Sequence, residues 1–196
     1  MPQKRKCIPE AGTIITTDII GAACAVEKDY KLTEKGLYVM KNELGIRLDM
    51  DLRSAGENPA QTDALGSEIA HIYYGVIQYS AIFEPAGKEA IGRVFSDLAV
   101  AENYPIYLHC TYGADRTGTV CYLLGALLGV PEDALRREYE ATALYHKWCD
   151  SENYDQMVAG LRAYAGETLS LKAANYLAEC GVTAEELEAI RAIYLY

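Results

Sequence analysis

A chain of 196 residues is long enough for one domain with a sizeable core, and for two only if both are small. Its 51% apolar and 23% charged residues are ordinary globular values, which excludes a disordered, collagen-like or low-complexity protein. The formal net charge of −10 argues against a broad basic face for nucleic acid or acidic lipid, while leaving room for a local anion pocket.

The basic start Lys4-Arg5-Lys6 leads into Cys7-Ile8-Pro9-Glu10 rather than an apolar stretch, and Asp18 interrupts the candidate segment from Ile14 to Val26. The chain as given therefore predicts no secretory leader. With no run of about 18 apolar residues, it predicts no membrane-spanning helix either. A cytoplasmic protein is the expectation, a secreted one if a leader has been removed. Gly12 to Thr17 reads as a short strand. Thr33 is a good N-cap for a helix in which Leu32 and Leu37 form a hydrophobic staple. Leu37, Met40 and Leu44 make its buried stripe, and Gly45 ends it.

Ile46 to Arg53 alternates apolar and polar residues, which predicts a strand with one buried face. Ser54 to Ser67 reads as a loop. Ile69 to Tyr79, rich in β-branched and aromatic residues, predicts the next strand. A helix follows from Gly87 to Glu102, then a short buried strand from Pro105 to His109. Thr117 to Leu128 is an apolar helix, and Pro131 opens another. Glu152 to Tyr196 is helical in pattern, and its last helix begins with a capping box, Thr183 and Glu186, inside a staple of Val182 and Leu187. No internal repeat or Pro/Ser-rich linker divides the chain, so a single α/β domain over 1–196 is expected.

Six cysteines with no CxxC pair do not make a disulfide scaffold, and His71, His109 and His146 are scattered, so no structural metal site is predicted. One segment carries chemistry: His109-Cys-Thr-Tyr-Gly-Ala-Asp-Arg116-Thr-Gly118, where a buried strand meets a helix. Such a junction aims backbone N–H groups and a helix dipole at one spot, a ready oxyanion site. A cysteine at the strand end sits in that positive field, which favours its thiolate. Arg116 has the planar fork that grips two phosphate oxygens, and Gly113 permits the backbone angles of a tight loop. A bare C-x5-R spacing is common by accident. His109, Cys110, Gly113, Asp115, Arg116, Thr117 and Gly118 together occur by chance less than roughly once in a million at average residue frequencies.

The decapeptide resembles the HCxxGxxR(S/T)G signature of cysteine-dependent protein tyrosine and dual-specificity phosphatases. Its Asp before Arg is similar to the bacterial tyrosine phosphatase family that also includes lipid phosphatases. Asp51-Leu-Arg-Ser54 resembles that family's DLRS element, and Tyr176-Leu-(x4)-Gly181-Val-Thr-(x2)-Glu186 resembles its tail, so the likeness runs roughly from Gly12 to the end. The family's usual Asn-x-Arg-Asp-Leu-Gly-Gly opening has no counterpart here. Ala114 stands where several lipid-active members have Lys.

The resemblance implies a phosphatase-type α/β fold: a central sheet of four or five strands with helices on both sides and a helical C-terminal part. It implies a phosphomonoester hydrolase in which Cys110 is the nucleophile and forms a cysteinyl-phosphate. Arg116 binds the phosphoryl group, and the amides of Thr111, Tyr112, Gly113, Ala114, Asp115 and Arg116 line the cradle. Thr117 hydrogen-bonds the sulfur, and His109 orients the loop. No metal or other cofactor is required. Asp115 is the expected general acid, with helix capping as its alternative role and Glu84 as the alternate donor. Arg53 is expected to pair with Asp51 or a loop carbonyl, with a secondary anion contact as its alternative role; His71 and His146 show no partner at informative spacing and are expected to be surface or packing residues. Tyr112 should stand at the pocket rim. The expected substrate is phosphotyrosine in a protein or peptide, or a small phosphomonoester. A phosphoinositide or inositol phosphate phosphatase, an inactive phosphotyrosine-binding module and a sulfurtransferase are the competing readings.

Overall fold

The computed structural model describes residues 14–16, 33–57, 65–141 and 151–195. It is an α/β structure, as the alternation of patterns predicts. Its sheet runs in the order β1–β4–β2–β3, all neighbours parallel, with β1 at Ile14–Thr16, β2 at Leu48–Asp51, β3 at Ala70–Tyr73 and β4 at Ile106–His109. Parallel strands place all their C-terminal ends along one edge, where α/β sheets bind ligands. Beyond β2 and β4 the pairing continues, Leu52 N donating to His109 O at 2.8 Å. Beyond β3 it continues as Val76 N to Leu52 O at 2.9 Å. Arg53, Gly75 and Cys110 therefore emerge together.

Helix α1, Glu34–Tyr38, is capped by Thr33, whose hydroxyl accepts from Gly36 N at 3.0 Å, and runs on as a π turn over Val39–Glu43. Met40 from this helix packs with Ile46, Leu65, Ile69 and Tyr107, with Leu37 and Leu44 against them, on one face of the sheet. Leu48, Met50, Ile106 and Leu108 point the other way, into the larger core. That core is closed by α2 (Pro85–Leu98), α3 (Asp115–Leu127), α4 (Glu132–Glu140), α5 (Ser151–Arg162), α6 (Leu169–Glu179) and α7 (Ala184–Leu195). At Gly92 of α2 an added Cβ would lie 2.1 Å from the Cys180 carbonyl oxygen, so glycine there lets α2 approach the end of α6. The capping box at α7 is formed as expected: Thr183 N donates to Glu186 at 2.7 Å and Glu186 N to Thr183 Oγ1 at 3.2 Å. None of the helices among the described residues is long and apolar enough to cross a membrane.

Three expectations need correction. Strand β2 is buried on both faces, not one: Asp49 and Asp51 are as enclosed as Leu48 and Met50. The strand expected to run to Tyr79 stops at Tyr73, because Gly75 turns the chain in a left-handed conformation (φ +63°) and Tyr79 opens a 3-10 turn, Tyr79–Phe83. The helix expected to run to Glu102 ends at Leu98, and a separate 3-10 turn covers Ala101–Asn103.

Candidate active site

The loop from Cys110 to Ala114 joins β4 to α3. Cys110 is 6% exposed and Tyr112 47%, so the cysteine is enclosed beneath the loop while the tyrosine stands at its rim. Gly113 takes φ +72°, the conformation the tight loop demands of it. The N-cap of α3 is Ala114, and the first backbone bond of the helix runs from Gly118 N to Ala114 O at 2.8 Å. The amides preceding Gly118 thus have no carbonyl of their own helix to bond, and the positive end of the helix dipole adds to them.

Arg116 reaches back over this loop. One terminal nitrogen donates to Thr111 Oγ1 at 3.0 Å and the other to both Glu57 oxygens at 2.7 and 2.9 Å. Glu57 in turn accepts from Ser54 N at 2.9 Å. Burial works against its charge, but the Arg116 and Ser54 bonds hold its carboxyl below the usual range. Glu57 is a residue that sequence reasoning missed. The S-x-x-E spacing from Ser54, the same one that marks a capping box, was the available signal. A cavity of about 460 Å³ adjoins the loop through Arg116, lined also by Ser54, Glu57, residues 75–81 and Asn153.

Asp115 is the first residue of α3 and half-buried. It does not act as the N-cap; its carboxylate accepts the hydroxyl of Tyr79, which also contacts the hydroxyl of Tyr139 at 2.7 Å. Glu84 stands exposed at the N-terminus of α2, where its side chain caps nothing. The Thr117 hydroxyl, expected at the sulfur, is buried and makes no hydrogen bond among the described residues.

Beneath the loop lies a buried ionic cluster. The register sets Asp49 beside His71 and Tyr107, and Asp51 beside His109. Arg53 binds Asp51 through Nε at 2.8 and 3.0 Å and a terminal nitrogen at 2.5 Å, so of its possible roles it takes the pairing with Asp51. His71, for which the sequence spacing shows no partner, lies 3.4 Å from Asp51 and packs edge-on against Tyr73. His146 lies outside the described residues. His109 Nε2 meets Asp49 Oδ1 at 2.8 Å and Nδ1 meets the Cys110 carbonyl at 3.2 Å. Both partners only accept, so with both bonds made the ring carries two protons and a positive charge. Its stack on Tyr107 at 4.5 Å suits a cation.

Burial alone would push His109 down, but the bond and charge of Asp49, with the charge of Asp51, raise its pKa above the ordinary 6.5. For Asp51 burial pushes upward, and Arg53 and His109 outweigh it, holding the carboxyl below 3.8. Asp49, His71 and His109 each bring a ligand atom within 4.8 Å of the others, a spacing a divalent cation fits. Arg53 and the charged His109 already balance the two carboxylates without one.

The two shifts act on opposite sides of neutrality. The stabilisation from charged His109 is complete below pH 6.5 and is lost as pH rises through its higher folded value; that from Asp51 is present above pH 3.8 and is lost as pH falls through its lowered value. Asp49→Asn is expected to lower stability at pH 6 by about 3 kcal/mol and to flatten the alkaline decline. Urea midpoints measured across pH test this. The same decline in both proteins would deny the pair that role.

An enclosed thiol at a strand end is followed by the first amides of a helix, and an arginine folds back across the loop between them. A family model described as "Tyrosine phosphatase family" matches residues 27–196, and the chain belongs to that family. A "Tyrosine-protein phosphatase" of Nostoc commune is 28% identical in an alignment of 127 residues that covers 52% of this chain and 42% of that relative's length.

Proposed function

We propose that the protein hydrolyses phosphomonoesters, aryl phosphates such as phosphotyrosine foremost, through a covalent intermediate on Cys110. The thiolate attacks phosphorus as the ester P–O bond breaks, and Asp115 gives its proton to the departing oxygen. Arg116 and the amides of residues 111–116 hold the equatorial oxygens as charge shifts onto them. Water then attacks the cysteinyl-phosphate, Asp115 takes a proton from it, and the S–P bond breaks to release phosphate. The buried Thr117 hydroxyl has no competing partner among the described residues and is suited to ease the sulfur's departure. His109, bonded to the Cys110 carbonyl, fixes the backbone at the start of the loop.

The observation that carries this reading is Arg116, fixed by Glu57 and Thr111 across the loop that starts at Cys110. The choice of substrate rests on charge. Among the described residues lining the adjoining cavity Arg116 is the one cation, and it is already paired with Glu57. A ring bearing several phosphates needs more positive charge than that, whereas one aryl phosphate flanked by neutral groups does not. Phosphate release from a phosphotyrosyl peptide, a phosphoseryl peptide and phosphoinositide vesicles, compared at matched concentration, is expected to be fastest for the first. A clear preference for the inositol lipid would overturn this ranking.

A further inference from the structure

Tyr79 has features that packing alone does not require. Its φ of +55° lies in the left-handed region, and it is the one non-glycine residue with positive φ among the described residues. A bulky aromatic residue is rarely held there unless its surroundings enforce it, and such residues gather at functional sites. The surroundings here are specific. Tyr79 N donates to Thr119 Oγ1 at 3.3 Å, and the Thr119 hydroxyl donates to the Asp115 carbonyl at 2.8 Å. The Tyr79 hydroxyl donates to the Asp115 carboxylate. Both ends of Tyr79 are thus tied to Asp115, once through the backbone and once through the side chain.

The Tyr79 hydroxyl has a single proton, and the carboxylate takes it. In the 2.7 Å contact with Tyr139, therefore, Tyr139 is the donor and Tyr79 the acceptor. Tyr139 is itself fixed by stacking on Tyr154, with ring centroids 4.3 Å apart. With Tyr79 5% and Tyr139 8% exposed, the contact between the two tyrosines is largely screened from water. Burial and the neighbouring carboxylate both push the Tyr79 phenol far above its ordinary value, so it remains a donor at any working pH.

We infer that Tyr79 is a positioning residue for the proton donor Asp115, and that Tyr139 holds Tyr79 in place. The inference rests on the reading of Asp115 as general acid given above. Tyr79 occupies Oδ1, which leaves Oδ2 to carry the exchanged proton toward the leaving oxygen. Its hydrogen bond strengthens as that proton departs and the carboxyl becomes charged, so it assists most in the transition state. It also keeps the carboxylate from swinging onto the N-terminal amides of its own helix.

The test is leaving-group dependence, read as kcat/KM, which reports cleavage of the P–O bond. Asp115→Asn, Tyr79→Phe and Tyr139→Phe are compared with wild type on phenyl phosphate, whose leaving group needs a proton, and on 2,4-dinitrophenyl phosphate, whose leaving group does not. Asp115→Asn is expected to lose about 100-fold or more on the first and little on the second. Tyr79→Phe is expected to lose about 10-fold on the first and little on the second. Tyr139→Phe should show the same pattern more weakly and carries the test if Tyr79→Phe fails to fold. Equal losses on both substrates for the tyrosine variants, beside a leaving-group-dependent Asp115→Asn, would make the tyrosines packing residues and overturn the inference alone. An Asp115→Asn variant that treats the two substrates alike would overturn the general-acid reading itself.

Discussion

Cys110→Ser is expected to reduce turnover of 4-nitrophenyl phosphate by about 10⁴-fold or more, leaving oxyanion binding intact. Serine is nearly isosteric, so the loop, the Arg116 contacts and the amides at the start of α3 should persist. What disappears is an ionisable sulfur. An alcohol is far harder to deprotonate than a thiol, and its oxygen is the weaker nucleophile toward phosphorus. The variant and wild type should therefore bind vanadate or phosphate with dissociation constants within a few-fold, while phosphate release separates them. Equal rates of release would remove Cys110 from the chemistry. Loss of anion binding along with activity would instead mean that the sulfur holds the loop together.

Arg116→Lys is expected to lower kcat/KM by about 10²- to 10³-fold despite conserving the charge. Arg116 already uses two terminal nitrogens at once, on Glu57 and on Thr111 Oγ1, and its remaining N–H groups lie in the same plane. A lysine ammonium is a point charge on a flexible stem. It can pair with Glu57 or with a phosphate oxygen, but it cannot bridge the loop and grip two equatorial oxygens together. Phosphate affinity should fall as well, though less than kcat/KM, because the oxygens gain charge in the transition state. A variant with wild-type kcat/KM would show that planarity at this position is immaterial.

The parts of this molecule that were legible in the sequence are those whose determinants lie within a few residues of each other. The decapeptide from His109 to Gly118, the Thr33 cap and the Thr183–Glu186 box each write their geometry into a short stretch, and each is found where expected. The partners of the site residues were not legible. Glu57 lies 59 residues from Arg116, Asp49 60 from His109, and Tyr79 36 from Asp115, and no local spacing announces such pairs. Strand β2 misled for a related reason. Alternation of Asp with Leu and Met ordinarily marks a solvated face, but parallel neighbours supply His109 and His71, and Arg53 follows in the same chain, so the acidic side is buried too. The early end of β3 turns on Gly75, a residue easily overlooked inside an apolar run.

The enclosed charges along β2 and β4 have a consequence for how the sequence can drift. Positions 49, 51, 53 and 109 hold two anions and two cations in mutual contact, so changing any one strands another without its counter-charge. Tolerated variation there must be concerted. A randomised library that explores the four sites singly will find them frozen, while one that explores them jointly can reach wholly apolar replacements.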